Sequence, residues 1–203
     1  MARLLTRFAA TVLTGTLALG AACRSAPLRS LADGLVLEPG FPKPAVTLTD
    51  TEGRSFRLRE DTEGQAFLLF FGYTHCPDVC PVHMQNIAAA LTRLPPAVRR
   101  KVRVLFVTTD PARDTPAVLR TWLDHFDPAF VGLRGDSVTI AESLRQLHLG
   151  QPVIQPGSDD TTYTVGHSAS VLAFSSDNLA HVAFPFGTRQ QDWVRNLPLL
   201  VDP

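Results

Sequence analysis

Two spacings of apolar residues alternate along the chain. Val46-Thr47-Leu48 and Ser55-Phe56-Arg57-Leu58 alternate about Asp50-Thr51-Glu52-Gly53, which predicts a β-hairpin. Phe67 to Phe71 is a continuous apolar run, as expected of a strand covered on both faces. Met84, Ile87, Leu91 and Leu94 then recur at helical spacing, Pro81 suits the first helical turn, and Pro95-Pro96 stops the helix. Val102 to Val107 reads as a second buried strand. Pro116, behind Thr115 as N-cap, opens a helix whose apolar face holds Val118, Leu119, Trp122, Leu123 and Phe126. A shorter helix follows over Ser137–Leu147 with Ile140, Leu144 and Leu147 on one side. Gly150 to Thr162 reads as a polar loop. Ser170–Phe174 and Leu179–Phe184 read as strands joined by a turn, and Thr188 with Gln191 as the capping box of a last helix carrying Trp193, Val194 and Leu197.

A βαβ unit followed by an antiparallel strand pair and a closing helix is the layout of an α/β, thioredoxin-like fold. Here it carries an N-terminal β-hairpin and insertions between Thr108 and Thr162. Right-handed crossover places the start of the Pro81 helix at the carboxyl edge of the central strand, where open α/β sheets hold their chemistry.

The N-terminus changes the picture. Arg3 and Arg7 precede an uncharged run from Phe8 to Leu19, and Gly20-Ala21-Ala22-Cys23 ends it. Residues 1–22 therefore read as a bacterial export signal. Cleavage before Cys23 would leave that cysteine first and ready for lipid attachment. Lipoprotein signals usually carry Leu three residues before the cysteine; Gly20 stands there and Leu19 is one step early. A soluble secreted form and an uncleaved membrane anchor remain alternatives. The Pro-bearing stretch 23–44 reads as a flexible tether, and 45–203 as the domain. The expected location is the periplasm or the outer face of the cell membrane. Lys+Arg and Asp+Glu number 19 each, so no global field draws nucleic acid.

Export implies an oxidising space. If Cys23 carries lipid, Cys76 and Cys80 are left, three residues apart on the turn into the Pro81 helix. Their short loop gains little from a structural bridge. The helix N-terminus favours thiolate at Cys80. With the distant His167, the pair suits a thiophilic metal such as copper; alone, it suits a reversible disulfide. Both chemistries stand open on these residues. His75 is expected to point away from its neighbour, His83 to be a solvated helix residue, and Met84 to pack in the core. Asp110 is either a group near the site or a strand-end turn before Pro111. Arg113-Asp114 reads as a local ion pair or cap, His125, His148 and His181 as ordinary surface or satisfied histidines, and Tyr163, Trp122 and Trp193 as core. No nucleotide-binding or hydrolase motif is present.

The string Phe71-Gly72-Tyr73-Thr74-His75-Cys76-Pro77-Asp78-Val79-Cys80-Pro81 closely resembles the Sco/SenC family. Val107-Thr108-Thr109-Asp110-Pro111-Ala112-Arg113-Asp114-Thr115-Pro116, Gly132-Leu133-Arg134-Gly135 and Tyr163-Thr164-Val165-Gly166-His167-Ser168-Ala169 follow in the family's order. The family usually has Asp before the histidine; Gly166 replaces it here. The resemblance implies a thioredoxin-like domain that binds one copper per monomer through Cys76, Cys80 and His167. It implies a metallochaperone rather than an enzyme. The expected partner is the copper-A centre of cytochrome c oxidase subunit II or a related copper-receiving protein, with another periplasmic copper chaperone as a further partner. The rival reading is a thiol–disulfide reductase using Cys76 and Cys80 as its redox pair. A copper or redox sensor is a third.

Overall fold

The computed structural model describes residues 34–157 and 162–201. Ten strands and five helices follow in the order β1 (Leu35–Pro42), β2 (Thr47–Asp50), β3 (Ser55–Arg57), β4 (Ala66–Gly72), α1 (Val79–Thr92), α2 (Pro96–Arg99), β5 (Val102–Thr108), α3 (Pro116–Asp124), β6 (Val131–Arg134), α4 (Ser137–Gln146), β7 (Val153–Pro156), β8 (Tyr163–Gly166), β9 (Val171–Phe174), β10 (Leu179–Phe184) and α5 (Gln190–Val201). Eight strands form one sheet in the order β1-β10-β9-β4-β5-β6-β2-β3. β4, β5 and β6 run parallel, while β9, β10, β1 and β2 join antiparallel. This is the expected α/β, thioredoxin-like arrangement of a mixed sheet flanked by helices.

The apolar run in β4 sorts by parity. Leu68 and Phe70 face a layer built with Met84 and Ile87 of α1 and with Trp193 and Leu197 of α5. Phe67, Leu69 and Phe71 face a second layer with Ile140 and Leu144 of α4 and Leu48 and Phe56 of the predicted hairpin. Each β4 residue is buried, so the strand has no solvent face to make polar. Met84 is fully buried, as its place in the helical stripe predicts.

Several expectations are corrected. The tether does not extend to residue 44: Leu35–Pro42 pair with β10 along the sheet edge, Leu35 opposite Ala183 and Pro42 opposite Leu179. Pro39 and Pro42, two of the prolines that suggested a linker, sit on this edge strand, where a missing N–H is tolerated. The 150–162 stretch is not all loop, since Val153–Pro156 pair with Tyr163–Gly166 as a separate two-stranded ribbon. The Thr188–Gln191 capping box does not form. Thr188 donates instead to the Pro185 carbonyl at 2.8 Å, and Asp192 accepts from the Arg189 amide at 3.3 Å. No helix among the described residues is long and apolar enough to cross a membrane. The expected export signal and Cys23 lie outside the described residues.

Candidate metal centre

β4 ends at Gly72, and the chain turns over Tyr73–Asp78 into α1. The Cys76 amide closes that turn on the Tyr73 carbonyl at 3.2 Å. Asp78 caps the helix, accepting from the Val79 amide at 2.6 Å. The helix thus begins two residues before Pro81, and Cys80 lies inside its first turn. The Cys80 amide, one of the donors left over at a helix start, points at Cys76 Sγ from 3.4 Å. Gly72 makes room for this packing: a Cβ there would lie 2.7 Å from Cys80 Sγ and 3.0 Å from the Phe106 ring.

The loop is held from below by Asp114. This fully buried carboxylate accepts from the Thr74 amide at 3.1 Å, the Thr74 hydroxyl at 2.6 Å and the Thr108 hydroxyl at 2.5 Å. It ties the cysteine loop to the end of β5. The expected pairing of Arg113 with Asp114 is therefore corrected. Arg113 turns the other way, bonds Asp110, and donates to the Tyr163 carbonyl at 2.9 Å. Its guanidinium lies 3.5 Å from the centre of the Tyr163 ring, whose hydroxyl donates to Asp110 at 3.0 Å. Tyr163 thus packs half-buried against the core, as expected, and also braces β8, with Asp110 as the buried anchor of that brace.

β8 delivers His167 immediately after Gly166. The imidazole Nδ1–H donates to the Ser168 carbonyl at 2.9 Å, which leaves Nε2 as the lone-pair end. Nε2 lies 3.4 Å from Cys80 Sγ. Tyr73 and Phe70 meet the imidazole edge-on at 5.7 and 5.9 Å. The Cys76 and Cys80 sulfurs and one His167 nitrogen all lie within 4.8 Å of one another, and both cysteines are free. An ion with bonds of about 2.0–2.3 Å to nitrogen and sulfur spans donors up to about 4.6 Å apart, so the three atoms fit around one metal ion with small adjustments. No other group of three such side chains comes together among the described residues.

The two thiols differ in acidity. The Cys80 thiol, as a hydrogen-bond partner, holds Cys76 down to about 3 against the cost of its burial, helped by His167 and by the Cys80 and Asp78 amides. The thiolate expected at Cys80 is corrected: burial pushes that thiol far up, and the Cys76 charge beside it adds to the rise. Without metal, the pair carries one thiolate and one thiol at neutral pH.

The other sequence candidates separate clearly. His75 is half exposed, faces the Thr74 hydroxyl at 3.0 Å, and stands apart from the three donors, as expected. His83 is not solvated: it is 1% exposed, its Nε2–H meets the Ala169 carbonyl at 2.8 Å, and burial lowers its basicity. Its position one turn beyond Cys80 carried that possibility. The role of Asp114 left no sequence signal, because its partners come from residues 74 and 108.

A protein-family model described as SCO1/SenC matches residues 42–201. A Stutzerimonas stutzeri protein, named as a candidate copper-binding protein, is 31% identical over 163 residues, covering 78% of this chain and 76% of that one. The mitochondrial SCO2 homolog of Bos taurus is 35% identical over 139 residues, covering 66% of this chain and 50% of the bovine one. The structure of Bradyrhizobium japonicum ScoI with copper bound superimposes with a TM-score of 0.69 at 31% identity, over 80% of this chain and 99% of that one. Since the family match takes in nearly the whole described domain, the chain belongs to the SCO1/SenC family.

Proposed function

We propose that this protein is an exported copper chaperone. It holds one copper ion through Cys76, Cys80 and His167 and passes it to the copper-A centre of cytochrome c oxidase, with Cys23 as its lipid anchor. The observation that carries the reading is the convergence of two sulfurs and one bare imidazole nitrogen within 4.8 Å. Two thiolates select Cu(I), and the added imidazole makes the site serviceable for Cu(II) as well. The copper-bound ScoI structure, from a protein of the same family, supports the choice of metal.

Copper is cargo here, and three donors leave it open to attack. An incoming thiolate or imidazole can replace one donor at a time without stripping the ion bare. Equilibrium dialysis is expected to give one copper per monomer, with a large loss in His167→Ala, greatest for Cu(II). Unchanged binding of both oxidation states by His167→Ala would remove the histidine from the site. Delivery is tested by reconstituting a copper-free oxidase fragment with copper-loaded protein. Intact-mass spectrometry of membrane-extracted protein reads the Cys23 anchor.

The unequal thiols favour a second reading, reduction of the recipient's cysteines. An acidic thiolate beside a protonated thiol is the nucleophile and resolving partner that disulfide exchange needs. In the same reconstitution, success of metal-free reduced protein with external copper would support reduction. Success of the loaded protein alone would support delivery.

A further inference from the structure

His83 touches no donor atom of the centre, yet it joins the two halves that supply them. It lies on α1 one turn beyond Cys80, and its Nε2–H donates to the carbonyl of Ala169, two residues past His167. A carbonyl oxygen only accepts, so the proton is fixed on Nε2. Residues 167–170 belong to no strand. The segment's other hydrogen bonds are internal, His167 to Ser168 and Ser170 to Ser168, apart from the contact of His167 with Cys80. The His83 bond therefore runs from the helix that holds a sulfur to the backbone that holds the nitrogen.

The surroundings shield the imidazole end of that bond. Phe70 meets the His83 ring edge-on at 5.1 Å on the inner side, and Phe186 meets it at 5.6 Å on the outer side. Phe70 also contacts the His167 ring, so the two imidazoles share one aromatic wall. A side chain that is 1% exposed cannot trade this partner for water, and losing the partner costs the full desolvation of the group.

We propose that His83 is a positioning residue of the metal centre: through the Ala169 carbonyl it holds the His167 segment at the level of Cys80, so that the imidazole arrives as the third donor. This rests on the copper-binding reading above. Two thiolates can retain Cu(I) without the imidazole, whereas Cu(II) depends on it, so a loosened segment weakens Cu(II) more than Cu(I).

The test uses the full chain with His83→Leu and His83→Gln, beside wild type and His167→Ala. Cu(I) and Cu(II) affinities are read by chelator competition, nitrogen coordination by electron paramagnetic resonance, and amide hydrogen exchange at 168–170 in copper-free protein. His83→Leu is expected to exchange faster there, to bind Cu(II) about tenfold more weakly, with a smaller change for Cu(I), and to lose nitrogen hyperfine structure. Gln, whose amide nitrogen can reach the same carbonyl, restores most of this. If the leucine variant does not fold, Asn replaces it, being too short to reach Ala169. Wild-type Cu(II) affinity in His83→Leu, or Gln performing no better than Leu or Asn, overturns the inference. Copper binding that is lost in His167→Ala but unchanged in folded His83→Leu defeats this inference alone. Absence of copper binding by wild type defeats the functional reading with it.

Discussion

Cys80 Sγ and His167 Nε2 stand 3.4 Å apart although 87 positions separate them in the chain. One atom belongs to the first turn of a helix, the other to the segment leaving a separate ribbon. The complete three-donor set exists only in the folded chain, although Cys76 and Cys80 stay close in sequence and keep some hold on Cu(I) when it unfolds. Saturating copper should therefore stabilise the native state, by at most about 2.7 kcal/mol at a free concentration one hundred times the dissociation constant. Thermal unfolding with buffered Cu(I), reversed by a chelator, measures this. His167→Ala should show a smaller shift, and a wild-type transition unmoved by copper would contradict the site.

Gly72→Ala should damage stability and site together. The added methyl would lie 2.7 Å from Cys80 Sγ, with Phe106 behind it at 3.0 Å, and neither neighbour is the end of a flexible chain. Overpacking of this kind costs about 1–3 kcal/mol. Denaturant unfolding reads the loss. Copper competition should show weaker binding, because the sulfur has to move.

The metal-free dithiol should impose a pH dependence with two opposed limbs. Cys76 is depressed from its ordinary value near 9 to about 3, so its contribution is complete above pH 9 and fades as pH falls toward 3. Cys80 is raised, so its contribution is complete below its ordinary thiol range and is lost as pH rises beyond it. Wild type minus Cys76→Ser, followed by denaturant unfolding of reduced protein, should shrink steadily on acidification from pH 8 to 4. A flat difference would mean that Cys76 carries no stabilised thiolate. Iodoacetamide should label Cys76 before Cys80, with little change in the Cys76 rate between pH 5 and 8.

Asp114→Ala should destabilise by roughly 3 kcal/mol, since the two threonine hydroxyls and one amide that face it would be left in a dry interior. Asp114→Asn should cost less, keeping one acceptor oxygen. Because the Thr74 amide is among the donors, the cysteine loop should loosen in both variants, visible as faster hydrogen exchange at residues 74–76. Exchange unchanged in a destabilised variant would separate Asp114 from the loop.

The elements that build the scaffold were legible because their signals are local. Phe67–Phe71, the 84/87/91/94 stripe and the Pro95-Pro96 stop each state their conformation within a few residues. The three side chains that converge were legible through residue chemistry and motif order. What escaped reading depends on partners far away in sequence. Pro39 and Pro42 suggested a linker, yet β1 is an edge strand defined by its neighbour β10. Val153-Ile154 and Tyr163-Thr164-Val165 carry strand-like residues, but the polar stretch between them masked the pairing. Arg113 and Asp114 are adjacent and opposite in charge, which made a local pair attractive. The backbone sends one toward Tyr163 and the other toward Thr74. His83 looked like a surface residue until Phe186, more than 100 positions away, covered it.

The ribbon that leads to His167 shares no ladder with the eight-stranded sheet. Cys80 is fastened to the framework through α1, and Cys76 through the loop that Asp114 ties to β5. Freeing the nitrogen requires only that a short two-strand ladder and its braces give way, an opening that costs less than global unfolding. The centre consequently has a weak seam: the imidazole can withdraw first, and the two sulfurs are the donors that remain.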